Sequence, residues 1–244
     1  MLPLSHIYVS TKVTRRKSPL LVFGSVLPDV SWTSKSEIGR DQIHYTPKEL
    51  YEYISKNCPQ LKDLALGVRL HSNVDKGADY YSDDLDVGFA KVEGRKIESE
   101  TAKLLGEEKS EKSLVLAHNF IEASVDLLLN EHKPEILELY CKSVEDANLD
   151  EISECLSKYL HLTKETVASE IERFLNFVGP IAYLSKDSLV DRMLILVKQR
   201  RGKDVDRDRT EKILQEAVEL MKDKYQGYLD NAIENMRKGF STLL

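Results

Sequence analysis

Glycine and proline are scarce in this chain, 11 and 7 of 244 residues, so it lacks the turn residues that an all-β protein consumes. No apolar run approaches the ~20 residues needed to cross a bilayer. The opening Met1-Leu2-Pro3-Leu4-Ser5-His6 has no basic segment followed by a continuous apolar one, so a secretory signal is not expected. Cysteine is limited to Cys58, Cys141 and Cys155, an odd number without a C-x-x-C pair. That predicts free thiols in a reducing, cytoplasmic setting rather than a disulfide framework. The net charge of −6 is spread along the chain and leaves no footprint for nucleic acid. Histidine is equally sparse, six in all, which makes its placement informative.

Helical periodicity fills most of what remains. Thr46-Pro47 is a helix start, with Thr46 as N-cap and Pro47 at the first helical position. Asn57-Cys58-Pro59 breaks that helix, because the residue before a proline is pushed out of the α region. A second helix should carry Leu61, Leu64, Ala65, Val68 and His71 on one side. The stretch from Ser110 to Leu129 has the profile of a central helix buried on nearly all sides. Thr163-Lys164-Glu165-Thr166 opens another, stopped near Gly179-Pro180, and Asp187 to Arg200 forms one more. Residues 82–97, with two glycines and an acidic cluster, are expected to be a loop. Lys198–Arg209 reads as an exposed link ahead of a final amphipathic helix. The expected fold is all-α, about seven to nine helices in one multi-helix domain. Residues 1–200 would carry the chemistry, and 201–244 would form a C-terminal helical extension packed on that domain or on a partner.

Two short patterns carry that chemistry: His71-Ser72-Asn73-Val74-Asp75 and His118-Asn119-Phe120-Ile121-Glu122. On a helix, positions i and i+4 lie one above the other, so imidazole and carboxylate can converge on one ion. A neutral imidazole nitrogen with a hard oxygen suits Zn²⁺, Mn²⁺, Fe²⁺ or Ni²⁺. The bland alternative is a buried, hydrogen-bonded ion pair in a helical bundle. His6 and the run Gly24-Ser25-Val26-Leu27-Pro28-Asp29, with His44 fifteen residues on, add further ligand types ahead of the first pair.

In this order the residues resemble the zinc-dependent phospholipase C and P1 nuclease family, all-α metallohydrolases of phosphate esters. The matching residues are His6, Asp29, His44, His71 with Asp75, and His118 with Glu122. The resemblance lies in the ligand pattern and covers about the first half of the chain. It implies one metal site from Asp29, His44, His71 and Asp75, a second ion between Asp75 and His6, and a further ion at His118 and Glu122. The family's secreted members also use the α-amino group of a processed N-terminal Trp, whereas this sequence has Met1 five residues before His6. A family histidine shortly after the first pair has no counterpart between His71 and His118; Asp79, Asp83 or Asp84 could replace it through carboxylate oxygen.

The function so implied is metal-dependent hydrolysis of a phosphate ester, a small molecule or lipid head group, with one or two Zn²⁺ ions and Asp29 as general base. The alternative is a non-catalytic helical binding or scaffold protein that retains a structural metal. Other polar residues are read plainly. Asn73 and Asn119 cap or face solvent, Asp83, Asp84 and Asp86 line a solvated loop, and His132 and His161 sit at helix ends.

Overall fold

Each of the seven prolines stands in the opening turn of a helical segment or directly ahead of it, where its fixed φ helps and its missing N–H costs nothing. A computed structural model of the chain describes residues 1–32, 36–84 and 87–243. The first half contains α1 (Pro3–Thr14), α2 (Pro19–Gly24), a 3₁₀ turn (Leu27–Trp32), α3 (Arg40–Ile43) and α4 (Pro47–Asn57). A second 3₁₀ turn (Pro59–Leu61) leads into α5 (Lys62–His71), followed by α6 (Ala78–Asp83), α7 (Phe89–Gly94) and α8 (Glu98–Leu105). Then come α9 (Glu111–His132), α10 (Glu135–Glu145), α11 (Leu149–Leu160), α12 (Lys164–Val178) and a third 3₁₀ turn (Pro180–Tyr183). The chain closes with α13 (Lys186–Arg201), α14 (Arg207–Met221) and α15 (Tyr225–Gly239). No strand forms among the described residues.

The fold is therefore all-α as expected, but with fifteen α-helices among the described residues rather than seven to nine. Much of the excess lies in segments too short for periodicity to register. Residues 82–97, expected as a loop, contain the end of α6 and the six-residue α7. The C-terminal extension is two helices, not one. α14, with Ile213, Leu214, Ala217 and Met221 buried, packs against α9, and α15, with Leu229 and Met236 buried, packs against α1.

α9 is the central element. Ser110 and Ser113 cap its start reciprocally, each hydroxyl accepting the other's backbone N–H. α1, α7, α8, α10 and α14 pack around it, and Phe120, Ile121 and Leu129 are fully buried. Burial on this scale contributes roughly 1.5–3 kcal/mol per large apolar side chain.

α2 and α5 cross at backbone contact. A Cβ on Gly24 would collide with the carbonyl of Leu64, and one on Gly67 with the carbonyl of Leu21. Scarce glycine is thus spent where two helices must touch.

Cys58 and Cys155 form a disulfide across a sequence separation of 97, tying the end of α4 to α11. The expectation of three free thiols is corrected: Cys141 is the free cysteine. Odd count and absent C-x-x-C spacing say nothing about which helices pack side by side. No helix among the described residues is long and apolar enough to cross a membrane.

Candidate metal centre

α9 builds one wall of the site. Its 3.6-residue period places His118, Glu122 and Asp126 one above the other. Asp126, fully buried, accepts the backbone N–H groups of Leu4 and Ser5 at 2.8 Å each, capping the start of α1 from a neighbouring helix. That cap fixes the first turn of α1, and with it His6. The α-amino group of Met1 then lies 2.8 Å from Glu122 Oε1, 2.7 Å from Asp79 Oδ1 and 3.6 Å from Asp83 Oδ1.

The opposite wall comes from the crossing of α2 and α5. His71, the last residue of α5, places Nδ1 2.8 Å from the carbonyl oxygen of Ser25 at the end of α2. A carbonyl only accepts, so Nδ1 carries the hydrogen and Nε2 is left for the interior. There Nε2 meets His44 Nε2 at 3.3 Å, Asp79 Oδ2 at 3.3 Å and Asp29 Oδ1 at 3.6 Å. Asp29 comes from the first 3₁₀ turn, and His44 follows α3. The His6 ring stacks on that of His71 with centroids 3.8 Å apart.

Three groups of possible ligands result: His6, Asp29 and His71; His44, His71 and Asp79; and Asp83, His118 and Glu122. Six of the seven residues expected from sequence, namely His6, Asp29, His44, His71, His118 and Glu122, fall within these groups. Asp75 does not. α5 stops at His71, and Ser72 is extended at ψ 142°, so the i and i+4 relation assumed for His71 and Asp75 never forms. Asp75 instead accepts from Arg69 Nε at 2.8 Å. Asp79, buried on the first turn of α6, takes the expected position between the histidines. Asp83, 3.0 Å from His118 Nε2, joins the other pair. Asp84 turns away to accept the N–H of Val87, and Asp86 lies outside the described residues.

Donor chemistry and spacing both fit a divalent cation. In the second group the three polar atoms are separated by 2.9, 3.3 and 3.3 Å. The edge of a tetrahedron with Zn–N and Zn–O bonds near 2.0–2.1 Å is roughly 3.3 Å. Neither His6 Nδ1 nor His44 Nδ1 has a hydrogen-bond partner, His6 Nε2 meets only Asp79 Oδ1 at 3.1 Å, and an orphaned buried imidazole nitrogen is costly. Imidazole lone pairs and carboxylate oxygens facing one another require a positive charge among them, whether protons or a metal.

The charges already present are strongly shifted. Burial together with repulsion from His71 and the Met1 amine lowers His6 to about 3. Burial opposes a charge on His118 too, but Glu122 and Asp83 overcome it and raise the imidazole to about 10. The same contest raises His71 through Asp79 and Asp29. It lifts the Met1 amine well above its ordinary value through Asp79, Asp83 and Glu122. Burial would raise Asp79, yet the amine and the two stacked histidines hold it well below the carboxylate range. Asp29 goes the other way, raised chiefly by burial. Shifts clustered in this way are a mark of functional sites.

A cavity of about 160 Å³ opens onto these groups, lined by Met1, Asp29, Asp79, Asp83, His118 and Glu122 and also by the basic residues Arg40, Lys91 and Arg200. Asn119, expected to face solvent, is buried and lines this cavity, while Asn73 is exposed. His132 and His161 lie outside the centre, His132 bonded to Tyr225 Oη at 2.7 Å and His161 in the left-handed cap of α11. The sequence reading missed the Met1 amine and the three basic residues. No local motif marks the three basic residues, and Arg200 lies in the stretch Lys198–Arg209, whose charge pattern reads as an exposed link; the α-amino group is signalled only by the resemblance. Compared with known proteins, the chain matches no family model, no curated protein and no solved structure.

Proposed function

We propose that this chain is a metal-dependent hydrolase of phosphate esters. What supports the reading is the convergence of three histidine–carboxylate groups from α1, the first 3₁₀ turn, α3 and its following residue, α5, α6 and α9 on one polar cavity. Under this reading His6, Asp29, His44, His71 and Asp79 hold one or two Zn²⁺ ions, and Asp83, His118 and Glu122 hold a further one. When bound, a divalent ion supplies Lewis acidity, bringing water toward ionisation near neutral pH and neutralising phosphoryl charge. Asp29 is placed at the cavity with its side chain 14% exposed, where it accepts the proton of the attacking water. A new P–O bond forms from that water, the ester P–O bond breaks, and solvent protonates the leaving oxygen. Ser25 holds the imidazole of His71 in place through Nδ1.

The second reading, a binding or scaffold protein with a structural metal, is favoured by the burial of His6, His44, His71 and Asp79. The cytoplasmic expectation rested in part on free thiols, and the Cys58–Cys155 bond removes that part of its support. The deciding experiment is elemental analysis of protein purified without chelator, followed by phosphomonoester and phosphodiester assays of wild type and Asp29→Asn. Bound metal with turnover lost in the variant supports the hydrolase. Bound metal with no turnover in either supports the scaffold, and absence of metal overturns both.

A further inference from the structure

We propose that Arg40, Lys91 and Arg200 form an anion clamp on the cavity wall that selects a terminal phosphate dianion, a phosphomonoester, over an internal diester. The proposal rests on the phosphate-ester reading above and names the substrate class for that site.

The three cations come from α3, α7 and the last turn of α13, and tertiary folding alone brings them to one cavity. All three are half-buried. Holding a metal gives no reason for them, since a cation on the cavity wall repels a divalent ion and weakens its binding. The repulsion between Arg40 and Arg200 is real. Burial and the neighbouring Arg40 lower Arg200 to about 10, with Asp29 opposing, so it still carries its charge at neutral pH. The carboxylates of Asp29, Asp79, Asp83 and Glu122 in the same cavity balance these cations; if a metal takes those carboxylates, an anion among the cations supplies the balancing charge.

Arginine suits that anion. Its planar fork gives two parallel N–H donors to a pair of phosphoryl oxygens, and lysine adds a compact charge. Arg40 has a hydrogen-bonding nitrogen 3.2 Å from His44 Nε2. A metal ion that takes the lone pair of His44 Nε2 displaces this contact, and the guanidinium becomes available to the anion at the time the metal is in place. The cavity, about 160 Å³, has room for one phosphate with a single ester arm. A diester carries one charge fewer and must place two arms.

The test is calorimetric titration of inorganic phosphate and of dimethyl phosphate into wild type, Arg200→Met, Arg200→Lys and Lys91→Met, with the metal content of each measured separately. These positions leave the ligand set untouched. Phosphate affinity should fall on the order of tenfold in Arg200→Met and severalfold in Lys91→Met, with partial recovery in Arg200→Lys. Dimethyl phosphate should bind at least about tenfold more weakly to wild type and lose less in the variants. Equal phosphate binding by wild type and both Met variants overturns the clamp, as does equal binding of the two anions. If metal is absent yet phosphate binding follows these residues, the clamp stands and the hydrolase reading falls. If metal content holds and phosphate binding ignores them, only the clamp falls.

Discussion

Asp79 Oδ2 lies 2.9 Å from His44 Nε2, and the same carboxylate reaches His6 at 3.1 Å, His71 at 3.3 Å and the Met1 amine at 2.7 Å. One buried side chain thus holds four positively charged or chargeable groups together. Asp79→Asn should abolish metal retention at the His44–His71 side. Wild type should gain roughly 2–3 kcal/mol of stability at metal concentrations near 100 Kd, and the variant far less. Asp75→Asn, which breaks only a part-buried pair with Arg69, should keep its metal and lose at most about 1 kcal/mol. Thermal melts with and without added Zn²⁺ check both.

Metal loading should release protons. His118 is raised from 6.5 to about 10, so its ion pairs contribute stability that is complete below pH 6.5 and lost as pH rises through about 10. A metal ligand must be neutral, so a cation entering beside Asp83 and Glu122 expels that proton. Affinity at this group should therefore rise steadily with pH across 6.5 to 10. Calorimetry in two buffers of different ionisation enthalpy reads the proton count, and pH-independent binding would refute the assignment.

Asp126 couples the start of α1 to pH. Burial lifts its carboxyl from 3.8 to about 7 against the donors of Ser5 and Leu4. A raised carboxyl contributes stability present below pH 3.8 and lost as pH rises through about 7. Asp126→Asn should lower overall stability by about 1–3 kcal/mol, because an amide cannot accept all three donors. It should also flatten the melting temperature between pH 4 and 7, which a series of melts would show.

Gly67→Ala tests whether the helix crossing positions the site. The new methyl meets the backbone of Leu21 and Ser25, forcing α2 from α5 at about 1–3 kcal/mol. The carbonyl of Ser25 moves with it, loosening His71, so metal affinity should drop although no ligand has changed. Ala at Gly227, where the added carbon meets nothing within 4 Å, should leave metal binding intact.

Thiol titration of denatured, unreduced protein should find one reactive cysteine, Cys141, and three after reduction. Reduction should lower stability by about 2–5 kcal/mol, since the bond closes a long loop of the unfolded chain. Three thiols before reduction would contradict the pairing.

Much of the fold was legible because its signals are local. Ser110, Thr163 and Pro47 mark helix starts through bonds or dihedrals within four residues of themselves, and the apolar run of α9 announces a buried helix by composition alone. The same locality made His118 and Glu122 readable as a pair, since α9 continues through both. It misled at His71, where the helix ends and spacing loses its geometric meaning.

The sequence by itself determined an all-α chain with rare histidines set against carboxylates, because hydrophobic period and capping chemistry act over single turns. Tertiary structure alone decided that Asp79 rather than Asp75 meets the histidines, that Cys58 meets Cys155, and that Arg40, Lys91 and Arg200 line one cavity. Those relations join residues far apart in the chain. They depend on where whole helices cross, at glycines such as Gly24 and Gly67, and packing of that kind leaves no periodic trace in the sequence.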